Sequence, residues 1–235
     1  MKFEIIITKP SSAEENMALD QTLLHSLQHD PRCLLHVYEW KSPSLTYGYF
    51  INPWEFLLEA GVRRHAIQLA HRPTGGGILF HHCDLAFALL IPATHPHFSA
   101  NTLDNYALVN ERVRDALKSF IKEHTLLLPE EPLPADKSCG QFCMAKPTKY
   151  DVMIAGKKVG GGAQRRTKYG LLHQGTIALS VPTAQFLEDV LLPGTCVAEA
   201  MRRNSYALMA SNQNPNEARE QLKTLLTDAF LKWNN

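Results

Sequence analysis

The sequence predicts an α+β fold, because its strand-forming segments cluster and its helix-forming segments lie around them. Three stretches, Tyr150–Ala155, Lys158–Arg166 and Leu171–Ser180, follow one another with only Ala155-Gly156-Lys157 and Lys168-Tyr169-Gly170 between them. That spacing is an antiparallel meander. Helical periodicities do not follow each strand in turn, so a regular doubly wound alternation is excluded. A length of 235 residues suits one large domain, or one domain with a small appendage.

Taken in order, Phe3-Glu4-Ile5-Ile6-Ile7-Thr8 is β-branched and predicts a strand. Ser11 stands three residues before Glu14, the spacing of a capping box, and Met17, Leu19, Leu23, Leu24 and Leu27 follow at helical intervals. Strands are predicted over Leu34–Glu39, Ser44–Tyr49 and Asp84–Ile91, with Ile78-Leu79-Phe80 also extended. A second amphipathic helix spans about Leu103 to Glu123, with Tyr106, Val109, Val113 and Leu117 along one side. Between Leu128 and Pro147 stand Pro129, Pro132, Pro134, Pro147 and two cysteines. A loop this long inside a compact domain is uncommon and often functional. Helices near Thr183–Val190 and Glu217–Trp233 close the chain.

Composition excludes several classes. A net charge of +1 gives no electrostatic case for nucleic acid or an anionic membrane. No apolar run approaches the roughly 18–20 residues that span a bilayer. Met1-Lys2-Phe3-Glu4 lacks the layout of a signal peptide, so a cytoplasmic setting is expected. Cys33, Cys83, Cys139, Cys143 and Cys196 are odd in number and scattered, which argues against a disulfide framework and leaves room for a working thiol.

Three features carry chemistry. The first is His71-Arg72-Pro73-Thr74-Gly75-Gly76-Gly77, continuing as a strand to His81. Backbone without Cβ atoms lets a ligand come close, and Arg72 would add a planar charge for a phosphate or carboxylate. The bland alternative is a flexible turn; neither a P-loop nor a dinucleotide-binding glycine pattern is present. The second is Lys157-Lys158-Val159-Gly160-Gly161-Gly162-Ala163-Gln164, where an ammonium beside close-approach backbone suits a developing oxyanion or an acyl phosphate. Its alternative is a hairpin with a basic turn. The third is Cys143, with Lys146, Lys149 and Lys158 within plausible reach. A free thiol of ordinary pKa, near 8.5, is roughly a twentieth ionised at neutral pH, and neighbouring cations raise that share. The alternative is a loop thiol with no role. Zinc held by His81-His82-Cys83 with Cys139 and Cys143 matches no usual spacing, and consecutive residues on a strand point to opposite faces, so no metal is assigned.

At these residues the sequence resembles the lipoate–protein ligase and octanoyltransferase family, of the biotin/lipoate ligase catalytic-domain type. Asn16-Met17-Ala18-Leu19-Asp20 is similar to the family's N-terminal helix, and Tyr38-Glu39-Trp40 through Pro43 to Leu45-Thr46-Tyr47-Gly48-Tyr49-Phe50 to its next strand pair. Arg72 to Gly77 resembles its arginine–triple-glycine hallmark, Lys158 to Gln164 its lysine–glycine–alanine–glutamine segment, and His173-Gln174-Gly175-Thr176-Ile177 the strand that follows. The resemblance covers nearly the whole chain. It implies a mixed, largely antiparallel sheet flanked by helices, with residues 1–235 as a single catalytic domain. It also implies an acyl tunnel over Gly75–Gly77, with Lys158 near the acyl carbonyl and Arg72, His81, Gly161, Ala163, His173 and Gly175 binding the acyl or adenylate group. The acceptor would be a lysine on the lipoyl domain of a 2-oxoacid dehydrogenase complex or on the glycine-cleavage carrier. Neither a nucleic-acid nor a membrane partner is expected, and the protein is expected to be a monomer.

The family contains two mechanisms. Octanoyltransferases take the acyl group from acyl carrier protein or another lipoyl domain, hold it as a cysteine thioester and need no cofactor. Ligases use ATP and Mg to activate lipoate or octanoate as an acyl-adenylate. Cys143-Met-Ala-Lys-Pro147-Thr-Lys-Tyr150 resembles the transferases' cysteine segment, and ligases usually have Asn at the position of Tyr150. About 55 residues follow Ser180, too few for the full accessory domain that ligases commonly carry. The intact Gly75-Gly76-Gly77 is more ligase-like. On the thioester route Cys143 and Lys158 are catalytic, and His173 or the departing thiolate takes the acceptor lysine's proton. On the adenylate route Cys143 is a bystander. A relic that binds without turnover is a third reading; biotin ligation is disfavoured because the biotin enzymes' glycine–arginine motif is absent.

Overall fold

The computed structural model describes residues 3–133, 137–210 and 213–232. In chain order the elements are β1 (Phe3–Ile7), α1 (Ala13–Ser26), β2 (Cys33–Tyr38), β3 (Ser44–Tyr47), α2 (Glu59–Arg64), β4 (Gln68–His71), β5 (Ile78–His81), β6 (Asp84–Pro92), α3 (Thr102–Phe120), β7 (Thr125–Leu127), β8 (Val152–Ile154), β9 (Lys157–Arg166), β10 (Gly170–Ala178), α4 (Ala184–Val190), α5 (Val197–Asn204) and α6 (Pro215–Leu231), with short 3-10 turns at Pro53–Glu55 and Cys139–Gln141. The strands form two sheets, ordered β1-β2-β6-β10-β9-β8-β7 and β4-β3-β5. Only β1–β2 and β3–β4 pair in parallel; the other pairings are antiparallel. The fold is therefore α+β, mixed and largely antiparallel, with its strands divided between two sheets.

The predicted meander is β8-β9-β10. It is shorter at its start than expected, because Tyr150 has φ +68° and cannot continue a strand. The capping box at α1 lies one residue later than predicted. The Ser12 hydroxyl accepts from the Glu15 amide, and the Glu15 carboxylate accepts from the Ser12 amide. Elements α2, β4, β7 and α5 were not predicted; each has eight residues or fewer, too short to establish a periodicity. The expected Pro134 and Trp233 lie outside the described residues.

The larger sheet is buried on both faces, which explains the continuous apolar run of β6. Phe87, Leu89 and Ile91 pack with Leu35, Val37, Val109 and Phe230, so this face lies under α3 and α6. Ala86, Ala88 and Leu90 pack on the other face with Met17 and Leu24 of α1. A third cluster joins Leu45, Ile78 and Phe80 of the small sheet to Phe142, Met144, Leu187 and Met201. Alternation along β10 follows from this arrangement. His173 stacks on Phe87, at a centroid distance of 5.9 Å on the α3–α6 side, while Gln174 and Thr176 turn to the opposite face.

Burial lowers the His173 pKa from 6.5 to about 3. The folded protein therefore disfavours the imidazolium that the unfolded chain accepts freely. The unfolded state binds more protons between those values, so this contribution to stability is lost as pH falls from about 6.5 toward 3. Each pH unit inside that window is worth up to about 1.4 kcal/mol. Urea unfolding at a series of pH values should show a shallower acid slope for His173→Leu than for the parent protein. Identical slopes would show that His173 does not titrate in this way.

Candidate active site

A small pocket lies between β9–β10 and the small sheet. Its apolar lining comes from Met17, Tyr38, Trp40, Leu79 and Met144, and its polar lining from Thr46, Arg72, His81, Cys143, Lys158, Gln174 and Thr176. Backbone of Gly161, Gly162, Ala163 and Gly175 completes it. Seven of the residues predicted from sequence are thus brought together: Arg72, His81, Cys143, Lys158, Gly161, Ala163 and Gly175.

Arg72 is buried, and its hydrogen bonds differ from those expected. Nη1 donates to Thr46 Oγ1 at 2.7 Å, and Nη2 donates to the carbonyls of Gly75 at 3.2 Å and Gly77 at 2.6 Å. The guanidinium braces the glycine turn, where the sequence predicts a grip on a phosphate or carboxylate. Burial lowers its pKa, while the charge of Cys143, that of Tyr38 and a hydrogen bond with Cys143 act in the opposite direction.

Two of the three glycines have a structural reason for their composition, and the reasons differ. Gly77 packs on the 3-10 turn before Cys143, where an added Cβ would stand 2.0 Å from the Gln141 carbonyl oxygen. Gly76 has φ +83°, a conformation that disfavours side chains. A Cβ there would stand 3.3 Å from Arg72 Nη2, 3.4 Å from Ala163 Cβ and 3.8 Å from Cys143 Sγ. Gly75 faces open space. None of the three is among the residues that line the pocket; the turn packs instead against the loop that carries Cys143. The Cys143 amide donates to the Ile78 carbonyl at 2.9 Å, which anchors the cysteine loop on β5.

Lys158 is buried, and its Nζ lies 2.7 Å from Asp151 Oδ2. The other two lysines expected near Cys143 are engaged elsewhere: Lys146 pairs with Glu131, and Lys149 lies over the Tyr150 ring. The cation facing the thiol is Arg72. His81 is also committed, with Nδ1 2.7 Å from Asp84 Oδ2, Nε2 2.8 Å from Thr46 Oγ1, and its ring on Trp40 at 4.0 Å. Among the described residues no three His, Cys, Asp or Glu side chains come together in a group that could hold a metal ion.

His173 corrects a further expectation. It lies on the far face of β10, outside the pocket, with Nδ1 at Gln164 and Nε2 buried without a hydrogen-bond partner. It is not among the residues that line the pocket.

Sequence reasoning missed two carboxylates that hold the walls. Asp20 accepts from Gln174 at 2.6 Å, from Tyr38 at 3.2 Å, and lies 2.8 Å from His36 Nδ1. Asp151 accepts from Tyr106 at 2.6 Å and from the Thr148 amide at 2.6 Å. A signal existed for Asp20, which falls one helical turn after Asn16 on the buried side of α1. No periodic pattern distinguishes Asp151, whose partners Thr148, Lys158 and Tyr106 belong to a loop, a strand and a helix.

A family model described as lipoyl protein ligase A/B catalytic domain matches residues 12–203. The octanoyltransferase LipM of Bacillus subtilis is 29% identical over 196 residues, covering 80% of this chain and 69% of that relative. The octanoyltransferase LipM of Oceanobacillus iheyensis is 28% identical over 209 residues, covering 87% and 74%. Among solved structures, lipoate-protein ligase A bound with ATP superposes with a TM-score of 0.73 at 21% identity, over 98% of this chain and 86% of that one. The bi-partite lipoate protein ligase of Thermoplasma acidophilum, studied with its E2 lipoyl domain, gives 0.72 at 20% identity, over 97% and 83%. At those identities the structures attest the fold.

The three glycines should respond differently to alanine. Gly75→Ala should leave stability within about 0.5 kcal/mol, as for an ordinary surface change. Gly76→Ala should cost about 1–2 kcal/mol through its left-handed backbone, and Gly77→Ala more, because backbone must move. Urea denaturation of the three variants gives the order, and equal losses would contradict it.

Proposed function

The chain belongs to the lipoyl protein ligase A/B catalytic-domain family, and we propose that it transfers an octanoyl or lipoyl group to a carrier lysine through a thioester on Cys143. It is an acyltransferase of that family, as its octanoyltransferase relatives are. One observation carries the thioester reading: the Cys143 thiol lines the same pocket as Lys158 and faces the Arg72 guanidinium.

In the first half-reaction the Cys143 thiolate attacks the thioester carbonyl of the donor. A tetrahedral oxyanion forms within reach of the Lys158 ammonium, which stabilises charge that develops only there. The donor's C–S bond breaks, its sulfur leaves as a thiolate that takes up the proton Cys143 lost on ionising, and the acyl group remains on Cys143. In the second half-reaction the carrier lysine must attack as the neutral amine, which at an unperturbed pKa near 10.4 is only about one lysine in a thousand at physiological pH. Its nitrogen bonds to the acyl carbon, the Cys143 C–S bond breaks, and the departing thiolate takes the amine proton. With His173 on the other face, this thiolate is the acceptor of choice.

This route needs no cofactor. The adenylate alternative would use ATP and Mg with Arg72 and Gly75–Gly77 around the nucleotide, but both terminal nitrogens of Arg72 already serve Thr46 and the glycine turn. The carriers in this reading are lipoyl domains of 2-oxoacid dehydrogenase complexes or the glycine-cleavage protein, and acyl carrier protein is the candidate donor. We place residues 1–235 in one catalytic domain, acting as a monomer in the cytoplasm. Cys33, Cys83 and Cys143 form no disulfide, and no helix among the described residues is long and apolar enough to cross a membrane.

Intact mass spectrometry after mixing with octanoyl-loaded acyl carrier protein should show a hydroxylamine-sensitive octanoyl adduct. Cys143→Ser should lack it and lose transfer to a lipoyl domain. Undiminished transfer by Cys143→Ser would sink the thioester route. AMP released from ATP and lipoate would establish the adenylate route instead.

A further inference from the structure

Asp151 is fully buried yet has no part in the chemistry just described. A carboxylate out of water is tolerated only when donors surround it. Oδ2 accepts from the Thr148 amide at 2.6 Å and the Thr148 hydroxyl at 2.9 Å, and it also lies 2.7 Å from Lys158 Nζ. Oδ1 accepts from the Tyr106 hydroxyl at 2.6 Å, and that hydroxyl in turn accepts from the Gly162 amide at 2.9 Å. A single oxygen therefore joins the loop that carries Cys143 to the lysine that faces the pocket.

Two neighbouring features exist to keep it there. Tyr150 holds a left-handed backbone at φ +68°, unfavourable for a residue with a Cβ. Hydrogen bonds on both sides fix it: its amide donates to Leu128 O at 2.7 Å, and its carbonyl accepts from Asn110 Nδ2 at 3.0 Å. The next residue, Asp151, points inward as a result. Gly161 leaves room for the pair, since a Cβ there would stand 2.7 Å from Lys158 Nζ and 3.0 Å from Asp151 Oδ1.

We propose that Asp151 is a positioning residue, which sets the Lys158 ammonium at the acyl carbonyl and ties it in register with Cys143 through Thr148. This rests on the thioester reading above. Asp151 does not touch the substrate; it acts through Lys158.

Single-turnover acylation of Cys143 from octanoyl-loaded acyl carrier protein tests the proposal, with thermal unfolding measured in parallel. Asp151→Asn keeps the shape and removes the charge. Its kcat should fall at least about tenfold while KM stays within about threefold, the signature of an interaction made chiefly in the transition state. In a Lys158→Met background the same change should cost no more than about twofold, because the group it positions is gone. Gly161→Ala retains both charges but displaces them, and it should reproduce the kcat loss in a folded protein. That variant decides the matter if Asp151→Asn does not fold. Losses that multiply in the double variant, or full activity in Gly161→Ala, would overturn the positioning role while leaving the thioester intact. Absence of any adduct on Cys143 in the parent protein would instead remove the thioester reading, and this proposal with it.

Discussion

A carboxylate removed from water must be met by donors, and three aspartates impose that condition on the walls of the pocket. Asp20 draws α1 to Tyr38 and Gln174, across β2 and β10. Asp84 gathers His81 and Thr176 from β5 and β10. Asp151 gathers Thr148, Tyr106 and Lys158 from a loop, a helix and a strand. Leaving one such donor or acceptor unmatched costs about 1–3 kcal/mol, and more when it is charged. The walls of the pocket are therefore tied together by polar contacts as well as by apolar packing. Its side chains are placed by obligatory partners, which is how a site holds a geometry suited to a transition state.

The same condition explains why arginine and glycine occur together before β5. The two terminal nitrogens of Arg72 already donate to two carbonyls and one hydroxyl, while its buried Nε has no hydrogen-bond partner. What it provides is a fixed positive charge at the turn, against which the cysteine loop closes. Gly77 permits that closure by its lack of a side chain, and Gly76 by its backbone. The triplet is a joint between two segments of chain.

Much of this was legible in the sequence. The meander, α1 and α3 announced themselves through alternation and helical spacing. Arg72, Cys143, Lys158 and the second glycine triplet stood out because their residue types are unusual in an ordinary turn. The elements that escaped, such as β4 and α5, are too short to form a pattern. His173 was misplaced for a different reason. A β10 that is buried throughout offers no polar–apolar alternation to show which face a side chain takes. Asp151 escaped because its importance lies in partners 3, 7 and 45 residues away, brought together only by folding.

The bond from the Cys143 amide to Ile78 has a consequence beyond chemistry. β5 is an edge of the three-stranded sheet, and Ile78 forms a parallel bridge with Phe142 just before the thiol. The loop that carries Cys143 thus covers part of an edge that would otherwise offer unpaired backbone groups to another chain. Loosening this loop would uncover an aggregation-prone rim at the same moment as it released the thiol. Selection for solubility and selection for turnover would then act on the same few residues, and a gain in loop mobility would be penalised twice.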